Sequence, residues 1–311
     1  MMMNNTGRVT FGVTLLGLLL VCAGAASAQE SIPLWPEEKL PNSKGLAIED
    51  SVFNERIYQI KYPEMYTFFP AREETSGAAV LIFPGGGYHH LTYNWAGFQV
   101  AKWFNSIGVT AFVVNYRLPN SPDLEQRQVV PLQDAQRAMR IVRANAHDWN
   151  IDPEKVGVMG RSAGGHLVST LGTHQQDVAA FGDSLDSYSY RPNFMIMVSP
   201  VISLGKYTHE GSRENLLGAN APQDLIKEYS NQLQVTDWTP PAFLVHAAND
   251  EAVPPQNSLQ FYHALLVHGV SSSIHIFPQG GHEIGLVGNP GSTQQWTDLC
   301  EAWLREMGFT N

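Results

Sequence analysis

Five short runs of this chain are apolar at nearly every position: residues 80–83, 109–116, 156–159, 193–198 and 242–247. A strand with one wet face alternates apolar and polar residues. An almost unbroken apolar run of four to eight marks a strand covered on both faces, as in a parallel sheet. A sixth run, 273–277, alternates more clearly. Between these runs, apolar residues recur at helical spacing over 95–107, 132–149, 255–268 and 293–307, with Ala135, Met139, Ile141 and Val142 marking the second. Gly108 follows the first of these stretches as a helix stop. The order strand, helix, strand, helix implies right-handed crossovers and helices on both faces of a mostly parallel, doubly wound α/β sheet. Residues 49–68, with Ile57, Tyr58 and Ile60, read as an antiparallel lead-in. Two stretches break the alternation. Residues 172–192 are polar, and residues 203–238 hold a short helical pattern at 222–233. No repeat or low-complexity segment is visible, and residues 29–311 fit one domain.

The run at 156–159 leads directly into Gly160, Arg161, Ser162, Ala163 and Gly164, followed by a helix entered through small residues. A G-x-S-x-G sequence between a strand and a helix is the nucleophile elbow. The turn is so sharp that the serine adopts a strained backbone and its neighbours must be small. A serine hydrolase of this kind places its acid and then its histidine later in the chain. Asp250 follows the run at 242–247, at the strand end where open α/β sheets place their sites. His282 follows the run at 273–277 through Gly280 and Gly281. An aspartate after a strand is commonly a cap, and a histidine among glycines is commonly a surface residue. The three in this order, each at a strand end, point instead to a Ser162–His282–Asp250 triad.

A fourth component lies after residues 80–83, where Pro84 precedes Gly85, Gly86, Gly87 and Tyr88. Backbone N–H groups reach a developing oxyanion only where no side chain intervenes, so consecutive glycines suit an oxyanion hole. The candidate donors are Gly86, Gly87 and Ala163. Tyr88, His89 and Trp238 are candidates for contact with substrate. His166, within the helix after the elbow, reads as a satisfied structural histidine.

These motifs resemble the α/β-hydrolase esterases of the bifunctional feruloyl/acetyl-xylan esterase group. The resemblance rests on Leu34-Trp35-Pro36, on Phe83 through Tyr88, and on Val114-Asn115-Tyr116-Arg117-Leu118. It extends to Ser162 through His166, Asp250 through Pro254, and Gly280-Gly281-His282. Glu283 and Ile284 depart from it, standing where that group has glycine and an aromatic. The resemblance implies an α/β-hydrolase fold, a cap inserted at 203–238, and hydrolysis of acyl esters, above all acetyl, on a polysaccharide such as xylan. A feruloyl esterase, a general short-chain esterase or peptidase, and a binding protein on a hydrolase fold are the other readings.

Composition narrows the partners. Residues 1–28 read as a cleaved signal peptide: Arg8, an apolar stretch at 11–20 too short to span a bilayer, then Ala26-Ser27-Ala28. Such a leader implies a secreted or periplasmic protein beginning at Gln29. It would leave 18 basic against 29 acidic residues, a balance that argues against nucleic acid or an anionic membrane as partner. The expected partner is an acylated carbohydrate or another small ester. Cys300 alone would remain after loss of Cys22, and it sits in a helical pattern as a small apolar residue. No metal or other cofactor is expected. His89 and His90 would face opposite ways in extended chain, and Leu286 stands where a zinc-protease motif opened by His282-Glu283 would need histidine.

Overall fold

The computed structural model describes residues 1, 31–37 and 39–311. The leader assigned to residues 1–28 falls, apart from Met1, outside them. Ten strands and seven α-helices follow in chain order. The strands are β1 (Ser31–Pro33), β2 (Ser51–Phe53), β3 (Arg56–Gln59), β4 (Glu64–Phe68), β5 (Ala79–Phe83), β6 (Thr110–Asn115), β7 (Val156–Arg161), β8 (Met195–Val198), β9 (Ala242–Ala247) and β10 (Ser272–Phe277). The helices are α1 (Gln99–Ser106), α2 (Val130–Ala144), α3 (Ala163–Thr173), α4 (Glu210–Leu217), α5 (Gln223–Glu228), α6 (Gln256–Val267) and α7 (Trp296–Glu306). Eight strands form one sheet in the order β1-β4-β6-β5-β7-β8-β9-β10. From β6 to β10 the pairing is parallel, and β4 and β1 extend the edge antiparallel.

Strands β5 to β9 are buried at every position. Their side chains nonetheless alternate between two cores. Leu81, Phe112, Val158, Met197 and Leu244 pack beneath α2, α3 and α6. Val80, Val113, Met159, Ile196 and Val245 pack beneath α1 and α7 with Trp296, Trp303 and the fully buried Cys300. Two apolar faces explain the unbroken runs, since neither face meets water.

The lead-in at 49–68 divides. Strands β2 and β3 pair with each other as a separate hairpin, closed by Asn54 and Glu55 at positive φ, and only β4 joins the large sheet. Strand β1 was not legible, being three residues long with Pro33 at its end. The helix expected at 95–107 begins as a π-turn over Asn94–Phe98 before α1. The helix expected at 132–149 ends at Ala144.

Helix α2 is buried all round although it carries three arginines and an aspartate in its interior. Every charge there has a partner. Arg117 makes a fully buried pair with Asp134 at 2.7 Å, and Trp35 Nε1 donates to the same carboxylate at 2.7 Å. Arg137 and Arg140 reach out to Asp183 and Asp177, both at 2.6 Å. The polar stretch 172–192 is thus a cover pinned onto α2.

His166 in α3 is fully buried. Its Nε2–H donates to the carbonyl of Tyr229 at 2.8 Å, which leaves Nδ1 to accept from the Tyr88 hydroxyl at 2.9 Å. The residue joins α3, the loop after β5 and the 203–238 segment. Burial pushes its pKa down to about 4, only partly opposed by the Tyr229 carbonyl. In the unfolded chain the imidazole takes up a proton below about pH 6.5, in the folded chain only below about 4. Its contribution is therefore complete above pH 6.5 and is lost as pH falls from there, by about 3 kcal/mol at pH 4. Urea unfolding at pH 7, 5.5 and 4.5 should show a flatter decline for His166→Gln than for the wild type. Parallel declines would remove His166 as an acid-sensitive point.

Candidate functional site

A cleft of about 920 Å³ lies at the carboxyl ends of the parallel strands. Its floor is the turn between β7 and α3. Ser162 sits there with φ 52° and ψ −122°, a conformation that L-residues avoid. The surrounding glycines show why the turn needs them. A Cβ on Gly160 would lie 2.2 Å from the Gly164 carbonyl oxygen, and one on Gly164 would lie 2.0 Å from that of Phe83. A Cβ on Gly165 would come within 2.6 Å of Pro200. Strand, helix and the neighbouring strand end approach one another through these gaps, and Ser162 is left standing between them.

His282 Nδ1 donates to Asp250 Oδ2 at 2.8 Å. That proton leaves Nε2 free to accept from Ser162 Oγ at 2.9 Å. The three residues expected as a triad therefore form one hydrogen-bonded chain. Burial would raise the pKa of Asp250, but hydrogen bonds from His246 and His282 and from the Val253 N–H outweigh it and hold the carboxyl well below the usual carboxylate range. The acid stays ionised. Its neighbour Glu251 is exposed.

The loop after β5 is fixed from behind, carbonyl by carbonyl. Pro84 O accepts from the Tyr116 hydroxyl at 2.9 Å, Gly85 O from the Thr92 N–H at 3.0 Å, and Gly86 O from the His89 N–H at 3.0 Å. In a trans peptide the next N–H points the opposite way, so these bonds also orient the N–H groups of Gly86 and Gly87. Gly86 has φ +139°, and a Cβ there would stand 2.0 Å from the His90 carbonyl oxygen. Gly86 and Gly87 line the cleft beside Ser162. Ala163 is the first residue of α3, where a helix offers its N–H no partner of its own.

Of the residues expected to meet substrate, His89 lines the cleft but Tyr88 and Trp238 do not. Tyr88 is buried and spends its hydroxyl on His166. Trp238 packs against Tyr190, with the Arg191 guanidinium 4.8 Å from its ring. Tyr229, a second aromatic of the 203–238 segment, is buried against His174. His89 and His90 do not face opposite ways. They occupy a turn rather than extended chain, with their Nδ1 atoms 3.4 Å apart and both rings beside Tyr58. Among the described residues, no three His, Cys, Asp or Glu side chains converge as metal ligands.

Four further contributors appear, of which the sequence pointed only to the 203–238 segment. The hairpin turn brings Asn54, Glu55, Arg56 and Tyr58 to the rim. From the 203–238 segment, His209, Gly211 and Asn215 reach the cleft, and Asn215 Nδ2 holds the Gly87 carbonyl at 2.8 Å. Arg161 is almost wholly buried beside Ser162 and donates to the His282 carbonyl. Burial lowers its pKa to about 10, so it remains charged at neutral pH. His246 is the fourth. Its Nε2–H points at the Val253 carbonyl, 2.9 Å away, and at Asp250 Oδ2, 3.2 Å away, while Nδ1 accepts from Ser258 at 2.8 Å. A lone histidine inside the apolar run of β9 was the available signal.

The geometry suits Ser162 to act as an activated nucleophile, which a fluorophosphonate probe tests directly. Labelling should vanish in Ser162→Ala and slow far more in Asp250→Asn than in Glu251→Gln. His246→Leu should slow it about tenfold, the loss of one hydrogen bond to a buried charge. Equal rates in the wild type and His246→Leu, by intact-mass spectrometry, would show that His246 only fills space.

The BD-FAE family model matches residues 65–265. An acetylxylan esterase from Xylanibacter ruminicola is 40% identical over 227 residues, 71% of this chain and 44% of that protein. An endo-1,4-β-xylanase B from Butyrivibrio fibrisolvens is 34% identical over 271 residues, 83% of this chain and 42% of that protein. The chain thus spans less than half the length of either relative. Among solved structures, an acetyl ester-xyloside bifunctional hydrolase from Caldicellulosiruptor lactoaceticus superposes with TM-score 0.77 at 37% identity, over 93% of this chain and 100% of that one. The family match, the identity to an esterase and the shared sheet lead to one conclusion: this chain belongs to the BD-FAE family of α/β-hydrolase esterases.

Proposed function

We propose that the chain is a serine carboxylesterase that removes acyl groups, chiefly acetyl, from a xylan-type polysaccharide. The observation that carries the reading is the unbroken hydrogen-bond chain from Asp250 through His282 to Ser162 in an open, polar cleft. Ser162 Oγ attacks the ester carbonyl as His282 Nε2 takes its proton. Asp250, held ionised, stabilises the imidazolium. The N–H groups of Gly86, Gly87 and Ala163 receive the oxyanion. Collapse of the tetrahedral adduct releases the sugar hydroxyl with the proton from His282. Water then attacks the acyl-enzyme by the same steps in reverse roles.

The wall of the cleft supports a carbohydrate leaving group. Asn54, Glu55, Arg56, His89, His90 and Asn215 offer hydrogen-bonding groups, and Tyr58 offers a ring, while no aliphatic side chain among the described residues lines the cleft. The acetylxylan esterase and xyloside-hydrolase names of the relatives support xylan as the backbone. Wild-type protein should release acetate from acetylated xylan and favour p-nitrophenyl acetate over the octanoate in kcat/KM. Ser162→Ala should lose on the order of 10⁴-fold or more of both activities while remaining folded. A rate that climbs toward octanoate, with no acetate from xylan, would leave only a general esterase.

We further propose that residues 1–28 direct export and are then removed. Intact mass and N-terminal sequencing of the exported protein should begin at Gln29. A retained leader or a cytoplasmic full-length chain would contradict this.

A further inference from the structure

Behind the cleft, on the α1 and α7 side of the sheet, lies a small apolar void of about 20 Å³, room for about one water. Ile82, Val100, Met159, Ile284, Leu286 and Trp296 line it. Trp95 and Arg161 line both this void and the catalytic cleft, so they form the partition between the two. The Arg161 guanidinium lies 3.9 Å from the centre of the Trp95 ring, in cation–π contact.

The partition is built at a cost. Arg161 is 7% exposed, and its Nε and Nη1 are buried without a hydrogen-bond partner. Buried unsatisfied donors on a charged group are expensive, and native structures keep few of them. Its remaining nitrogen, Nη2, is committed to the His282 carbonyl, and Glu283 approaches Nη1 only to 3.9 Å from an exposed position. The side chain therefore does two things at once: it braces the histidine loop and holds the Trp95 ring upright. Ile284 is buried and lines the void together with Trp95.

Resting on the esterase reading above, we propose that Trp95, pinned by Arg161, is the residue that limits the acyl group. The ester must place its acyl chain on one side of Ser162 and its alcohol on the other. The hairpin side of the cleft is polar and open, which suits the sugar. Trp95, next to Asn94 whose amide reaches Glu55 of that hairpin at 2.8 Å, is the apolar surface where the polar wall ends, and the aliphatic lining lies behind it. With the indole in place, an acetyl methyl meets a flat wall. Without it, the cleft and the void join into one apolar channel running toward Val100 and Leu286.

The test compares kcat/KM for p-nitrophenyl acetate, butanoate and octanoate in the wild type, Trp95→Phe and Trp95→Ala. The readout is the octanoate-to-acetate ratio, which a general loss of activity or of folded protein does not move. The ratio should rise at least about tenfold in Trp95→Ala, with Trp95→Phe between, because the gain of a few methylenes in an apolar pocket is worth that much. Adding Leu286→Trp to Trp95→Ala should refill the channel and bring the ratio back down. A ratio unchanged or lowered in an active Trp95→Ala enzyme overturns the plug and leaves the esterase reading intact. Wild-type protein that is labelled at Ser162 yet cleaves none of the three esters overturns both.

Discussion

The close approach of three pieces of backbone around Ser162 is the constraint on which the site depends. The β7 strand must turn into α3 within one residue, and that residue must hold a positive φ while carrying a side chain. The strain is sustained because its surroundings leave no alternative. The Ser162 N–H is bound to the Val198 carbonyl, its own carbonyl receives N–H groups from His166 and Val201, and the flanking glycines let Phe83 and Pro200 close in. A single methyl group at Gly160 or Gly164 would collide with backbone that has nowhere to move. The same packing brings the loop after β5 against the elbow, where a Cβ on Gly85 would lie 2.5 Å from the Arg161 carbonyl oxygen. Ser162 and the Gly85–Gly87 loop are therefore positioned by one contact rather than two.

Around that contact the histidines divide by environment. His282 is partly exposed and its hydrogen bonds leave Nε2 ready to accept the serine proton. His166 is sealed in the core as a neutral strut between the Tyr88 hydroxyl and the Tyr229 carbonyl. His246 stands behind the acid, its ring fixed by Ser258 so that Nε2–H faces Asp250 and Val253. His209 caps α4 by accepting the Ser212 N–H at Nδ1, and burial and the nearby His282 lower its pKa. One residue type thus serves as proposed base, strut, brace and cap. Burial and the nature of each partner, carbonyl or carboxylate or hydroxyl, decide the role.

The charged residues follow a similar logic. The arginines of α2 are buried but fully engaged, and they draw the polar stretch 172–192 over the helix. Arg161 is buried and only partly engaged. The contrast separates a scaffold, where each donor has an acceptor, from the edge of the site, where the best hydrogen bonding gives way to the placement of Trp95 and His282.

The sequence by itself determined the sheet, its buried strands and the chain of Ser162, His282 and Asp250. These are properties of local pattern: unbroken apolar runs, glycines where backbone must approach backbone, and polar residues at strand ends. It also marked the Gly85–Gly87 loop that lines the cleft beside Ser162, because three glycines have few other reasons to follow a core strand. Only the tertiary structure decided what surrounds them. Tyr88 and Trp238 turn away from the cleft because neighbours distant in the chain, His166 and Arg191, bind them first. The hairpin at Asn54 and Glu55, and Asn215 on α4, enter the site through contacts across many tens of residues, for which a single sequence carries no period or motif. His246 and Arg161 sit in plain view within apolar strands. Their roles depend on which face of the sheet each side chain takes and on what stands opposite, and that is settled only when the strands are assembled.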